Sequence, residues 1–225
     1  MGLTDLPPSE HARREALIVW GGWSGHEPER CAAIVRAMLE EEGFSVRVEN
    51  TTEAFADPGL AHLNLVVPIV TLAKIEKSQL DTLSSAVRGG LGLAGFHGGM
   101  CDAFRDAVEY HFMCGGQWVA HPGNIIDYRV NVLRRDDPVM QGIEDFDYRS
   151  EQYYMHVDPS NEVLATTTFS GEHAAWIKGV VMPVVWKRKH GEGRVFYSAL
   201  GHVAAEFEVA PMRTILRRGM VWAAR

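Results

Sequence analysis

Apolar positions along the chain fall into short runs separated by glycines and by polar stretches of helical period. Ala16-Leu17-Ile18-Val19-Trp20 is uninterrupted and stops at Gly21-Gly22, the pattern of a strand buried on both faces. Pro28 opens a segment in which Cys31, Ile34, Val35, Met38 and Leu39 keep helical spacing, and Gly43 is a natural C-terminal stop. Phe44 to Val48 alternates, as a strand nearer a sheet edge does. Leu63 to Val70 predicts a third strand, Glu76 to Arg88 a second helix closed by Gly89-Gly90, and Leu91 to Phe96 a fourth strand running into His97-Gly98-Gly99. Strand and helix alternate over this half, which implies right-handed crossovers and a parallel sheet covered on both faces. The second half is richer in strands. Tyr128 to Leu133, Val163 to Phe169 and Val180 to Lys187 are strand-like, and Gly191-Glu192-Gly193 turns the last of these into Arg194 to Ser198 as an antiparallel hairpin. A closing helix, Met212 to Ala224, carries Ile215, Leu216, Met220 and Trp222 on its apolar side. Those residues could face a second copy in a homo-oligomer or cap the sheet. Residues 1–14 form a polar leader, and 15–225 read as one domain without repeats or linkers.

Composition narrows the class. The chain has 225 residues, 46% of them hydrophobic and 23% charged, ample for a packed core. Its formal net charge of -7 argues against nucleic-acid partners, which need a basic face to displace counterions from phosphates. No apolar run approaches a membrane span, and the polar leader lacks a signal peptide's apolar segment, so a cytoplasmic protein with no membrane partner is expected. Cys31, Cys101 and Cys114 are odd in number and have no CxxC spacing, which argues against a disulfide framework or a Cys-rich zinc module.

The chemistry is expected beyond the carboxyl ends of the strands, where ligands bind in open parallel sheets. Three such loops carry a histidine beside glycine: Gly25-His26-Glu27, Gly95-Phe96-His97-Gly98-Gly99 and Ala199-Leu200-Gly201-His202. A bulky polar side chain following a buried strand costs free energy unless it is paired. Gly22-Trp23-Ser24-Gly25-His26 only approaches the nucleophile elbow, because its fifth position is His. The absence of G-x-G-x-x-G after the first strand and of GK[ST] anywhere argues against a nucleotide cofactor. At the turn where a class I glutamine amidotransferase places its nucleophilic cysteine stands His97, with Cys101 four residues later, so glutaminase chemistry is not expected.

From Ala16 to the C-terminus the chain resembles the ThuA-like (trehalose-utilisation) proteins. The resemblance is carried by the three histidine loops, by Gly115-Gly116-Gln117-Trp118-Val119-Ala120-His121-Pro122, by Ser150-Glu151-Gln152-Tyr153-Tyr154, by Met182-Pro183-Val184-Val185-Trp186 and by the run Gly191 to His202. It implies a three-layer α/β fold of the flavodoxin-like, class I glutamine amidotransferase-like type, with a mostly parallel central sheet and the C-terminal hairpin. It also implies sugar metabolism, with a small-molecule carbohydrate as partner, in company with oxidoreductases that make 3-keto-sugars. Carried over, His97 and His202 become a central pair, with His26 and Glu151 as third and fourth groups. His26, His97 and His202 are then the metal ligands and His97, His202 and Glu151 the catalytic groups. A His/carboxylate set suits a divalent metal, zinc before others.

Bland roles compete at each position. His26 can serve helix entry, Glu27 the helix dipole, and Glu151 a loop clamp. His121 precedes Pro122 and can be a structural turn or a substrate contact. Trp23, Trp118, Tyr153 and Tyr154 can stack on a sugar or fill core. The expected activity is hydrolysis or elimination on a keto-sugar or keto-glycoside, the metal polarising the carbonyl. An ordinary glycosidase needs two carboxylates flanking the bond, and only Glu27, Glu151 and Glu206 stand near the expected mouth. The alternative is a non-catalytic sugar- or partner-binding protein that keeps the fold without the nucleophile.

Overall fold

The structure is a computed structural model that describes residues 13–225; most of the polar leader lies outside the described residues. Its elements are β1 (Glu15–Trp20), α1 (Pro28–Glu41), β2 (Ser45–Glu49), β3 (Leu65–Ile69), α2 (Lys77–Arg88), β4 (Gly92–Phe96), α3 (His97–Cys101), α4 (Val108–Cys114), β5 (Gly116–Ala120), β6 (Ile125–Val132), β7 (Phe146–Glu151), β8 (Tyr154–Val157), β9 (Glu162–Thr168), β10 (Val181–His190), β11 (Gly193–Ser198) and α5 (Ala210–Ala223).

Nine strands form one sheet in the order β2-β1-β3-β4-β11-β10-β9-β6-β7. The first five run parallel, and from β10 onward each neighbour is antiparallel. The unbroken apolar runs lie in the middle: β3 and β4 are buried along their whole length, as are Ala16 to Val19 of β1. Each such aliphatic side chain contributes roughly 1.5–3 kcal/mol by leaving water. Alternating β2 is the edge strand, with no residue fully buried. The connection from β1 steps one way to β2, and the one from β3 steps the other way to β4. Right-handed crossovers therefore put α1 and α2 on opposite faces, and a crevice opens between the ends of β1 and β3, where the winding reverses.

The helices start and stop as their local chemistry dictates. Pro28 occupies the first turn of α1, where a missing N–H costs nothing. Glu76 and Gln79 form a reciprocal capping box on α2. In α5, Met212, Ile215, Leu216 and Met220 are buried against β4 and β11, so this apolar side covers the sheet. No helix among the described residues is long and apolar enough to cross a membrane. All three cysteines are buried and free.

The sequence pattern leaves several elements unread. Strands β5 and β8 form a separate antiparallel ribbon, β7 has no aliphatic residue, and α3 and α4 have only five and seven residues. His97 is not a loop residue after β4: it is the first residue of α3, at φ 46°.

Candidate metal centre

Four segments deliver four side chains to the crevice. After β1 the chain turns through Gly22, at φ +76°, where a Cβ would lie 2.0 Å from the Thr71 carbonyl oxygen, so only glycine lets these two strand ends approach. The Trp23 N–H donates to that carbonyl (2.9 Å), and a short 3-10 turn, Ser24–His26, presents the buried His26 ring. The β4–α3 turn presents His97, and Gly98 makes room for its neighbour: a Cβ there would stand 2.6 Å from His26 Cε1. Glu151 ends β7, and His202 follows β11 through Ala199-Leu200-Gly201.

One ligand atom each from His26, His97, Glu151 and His202 lies within 4.8 Å of the others. His97 Nε2 is 3.1 Å from Glu151 Oε2 and 3.2 Å from His202 Nδ1. His202 Nδ1 is 3.3 Å, and His26 Nε2 3.8 Å, from the same carboxylate oxygen. A tetrahedral zinc with bonds of about 2.0–2.1 Å holds its ligand atoms about 3.3 Å apart, so the separations among His97, Glu151 and His202 fit the ion, and His26 stands farther out. The donor set is also one that zinc takes.

Hydrogen bonding fixes where the lone pairs point. His97 Nδ1 donates to the Ala199 carbonyl at 2.8 Å, which can only accept, so Nε2 of the neutral ring is a bare lone pair facing a carboxylate oxygen. His26 Nδ1 lies 2.8 Å from Thr71 Oγ1, leaving its Nε2 for the cluster. Such outward partners orient metal-binding imidazoles. Burial drives the His97 pKa down to about 4, against the pull of the Glu151 carboxylate on the protonated form, so the ring is neutral at pH 7. Burial opposes ionisation of Glu151 too, but the surrounding histidines, His202 first, outweigh it and hold the carboxyl well below its ordinary range. His202 is raised: burial works against its charge, and the hydrogen bond and charge of Glu151 prevail. Without an ion, His202 Nδ1 faces two acceptors at once, His97 Nε2 at 3.2 Å and Glu151 Oε2 at 3.3 Å, and one N–H there cannot satisfy both.

Aromatic groups surround the cluster. Tyr153 is buried and stacks on His97, ring centroids 4.0 Å apart. Trp23, nearly half exposed, meets His26 edge-on at 4.6 Å. His121 Nε2 is 3.7 Å from Glu151 Oε1, and its ring lies 5.5 Å from Trp118, itself beneath the Arg105 guanidinium. Trp23 and His121 thus stand at the rim, whereas Tyr153 is part of the floor. Tyr154 is elsewhere: it pairs with Ala120 across the ribbon and packs on Phe169. Thr71 and the Ala199 carbonyl went unread in the sequence. Thr71 carried one usable signal, its place directly after the third buried strand.

Comparison with solved structures shows the same fold. A ThuA-like protein from Bacteroides uniformis superposes with a TM-score of 0.78 at 17% identity, covering 98% of this chain and 95% of that one. A ThuA-like protein from Parabacteroides merdae gives 0.76 at 19% identity, covering 94% and 90%. The β-galactosidase of Bacillus circulans sp. alkalophilus gives 0.59 at 16% identity over 93% of this chain and 30% of that chain. No curated protein matches the chain in sequence. The ThuA family model, described as trehalose utilisation, matches residues 15–223, a span that contains all four converging side chains, and the chain belongs to that family.

Proposed function

We propose that this protein acts on a keto-sugar or keto-glycoside at a divalent metal, zinc first, held by His26, His97, His202 and Glu151. The reading rests on one observation above the others: two buried acceptors, the His97 Nε2 lone pair and Glu151 Oε2, stand 3.1 Å apart and both face the single nitrogen His202 Nδ1, an arrangement that a cation satisfies and that burial otherwise makes costly. Family membership supports a role in carbohydrate metabolism. When bound, the metal would act as a Lewis acid toward a carbonyl oxygen.

The chain's own residues do the rest. Trp23 and His121 frame the entrance, and an aromatic face there can take the apolar face of a sugar ring. Buried Tyr153 holds the His97 ring in place from below. The carbonyl makes the neighbouring C–H acidic, and Glu151 Oε1, 3.7 Å from His121 Nε2, would take that proton. His121 is placed to return a proton to the departing glycosidic oxygen. A two-carboxylate glycosidase is not favoured: Glu206 Oε2 already accepts from the His202 N–H and the Tyr148 hydroxyl, and Glu27 Oε2 from the Ala204 N–H.

Elemental mass spectrometry on tag-free protein, wild type beside a His97→Ala/His202→Ala double variant, tests the metal. Near-stoichiometric metal lost in the variant is expected. Well-folded wild type without metal, after growth with zinc and manganese supplied, overturns the metal-dependent reading. Turnover of 3-keto-glycosides by wild type and its loss in His97→Ala then tests the chemistry. Sugar binding without turnover would make this a binding protein.

A further inference from the structure

Two carboxylates that contribute no ligand atom stand directly behind the cluster, and both end on the segment that carries His202. Glu27 directly follows His26, in a left-handed conformation, and its Oε2 accepts from the Ala204 N–H at 3.0 Å. Glu206 Oε2 accepts from the His202 N–H at 2.8 Å and also from the Tyr148 hydroxyl. The Tyr148 oxygen in turn accepts from the Gly201 N–H at 3.1 Å. Tyr148 lies on β7, three residues before Glu151. The result is a closed chain of contacts: Glu151's strand, through Tyr148, to Gly201; Glu206 to both Tyr148 and His202. The peptide groups on either side of the Gly201–His202 link are thus pinned from β7.

We propose that Glu206 and Tyr148 are a positioning pair that sets the His202 ring so that Nδ1, rather than Nε2, meets the cluster. Nδ1 is the ring nitrogen nearer the backbone, so its place depends on main-chain position more directly than that of Nε2. A shift of the His202 backbone moves this atom by nearly the same amount, with little side-chain length to absorb it. Elsewhere in the cluster the ring is set by an outward bond from its second nitrogen, as His97 Nδ1 is by the Ala199 carbonyl and His26 Nδ1 by Thr71. For His202 the fixing is done at its N–H. The pair touches neither ligand atoms nor any reacting group. The inference rests on the proposed metal centre for its consequence, but its geometric content concerns His202 alone.

Both hydrogen bonds end on one oxygen, and this gives a sharp test. Glu206→Gln can put its amide oxygen in the same place and accept both, whereas Glu206→Ala can accept neither. Tyr148→Phe removes the acceptor for Gly201 while leaving the aromatic body. Zinc affinity is to be measured by competition with a chromophoric chelator, and Co(II) absorption recorded on the substituted protein. Side-chain nitrogen resonances of His202 are to be recorded on metal-free protein at fixed pH. Expected are a drop of about tenfold to a hundredfold in zinc affinity and an altered Co(II) spectrum for Glu206→Ala and Tyr148→Phe, with Glu206→Gln near wild type. The His202 nitrogen resonances should move in the Ala and Phe variants, and in the Ala variant beyond the shift that loss of charge alone gives in Glu206→Gln. Unchanged His202 resonances in folded Glu206→Ala overturn the proposal. So does wild-type affinity and spectrum in that variant. If wild type binds no zinc or cobalt, the metal centre is what fails, and the resonances of metal-free protein still decide the positioning role.

Discussion

His97 is buried with its Nδ1 committed to a carbonyl, so protonating it means placing a charge where little water reaches. Its pKa falls to about 4 from an ordinary value of 6.5. Between those values the unfolded chain binds a proton that the folded one refuses, and stability falls as pH drops through the window, by about 3 kcal/mol across it. Glu151, depressed, adds stability above its ordinary range, and that contribution is lost as pH falls further. His202 has the opposite sign. Its raised value contributes stability that is fully present below pH 6.5 and is lost as pH rises through its folded pKa. Metal-free protein should therefore be most stable near pH 6.5. Thermal unfolding from pH 4 to 9 checks this, and a midpoint that is flat from 6.5 to 4 would contradict the assignment of a neutral, buried His97. With metal present the same His202 proton must leave. Zinc affinity should then fall about tenfold per pH unit once the pH is below the His202 value.

The turns that end the strands are built around what fails to fit. Gly98 is helical and unstrained, yet a methyl group there would lie 2.6 Å from His26 Cε1 and 3.0 Å from Thr71 Cγ2. Gly98→Ala should thus leave α3 intact and push the His26 ring out of the cluster, with a stability cost of about 1–3 kcal/mol. Metal stoichiometry and His26 ring resonances report the displacement; an unaltered His26 in the folded variant would contradict it. The βα rhythm, Pro28 and the buried strands were legible in the sequence because each is a local matter of period and backbone chemistry. Strand β7 was not. Phe146-Asp147-Tyr148-Arg149-Ser150-Glu151 has too few aliphatic residues to signal a strand, and it becomes one because β6 offers it a register from Ile125↔Glu151 to Val130↔Phe146. The left-handed φ of His97 was equally hidden, since nothing in a single histidine announces the turn it must take.

At the level of the whole molecule, the four ligand-type residues span positions 26 to 202 and hang from both the parallel and the antiparallel half of the sheet. An ion bound there joins both halves, and no unfolded chain holds these groups together. Zinc at a hundred times its dissociation constant should raise stability by about 2.7 kcal/mol. For a chain of this size that is roughly 5–10 °C in midpoint. Scanning calorimetry with zinc and with a chelator measures it, and an identical midpoint in both would speak against the centre. By itself the sequence determined the strands and helices of the first half, the family, and three of the four converging residues as histidines beside glycine, because burial and turn geometry are written in nearest neighbours. The family resemblance already offered Glu151 as a fourth group; tertiary structure alone decided that its carboxylate meets all three rings, that Tyr154 points away while Tyr153 lies under His97, and that Glu206 and Tyr148 stand behind His202. Those facts depend on distances between segments more than a hundred residues apart, as His97 and His202 are. Only the winding and register of the sheet set such distances.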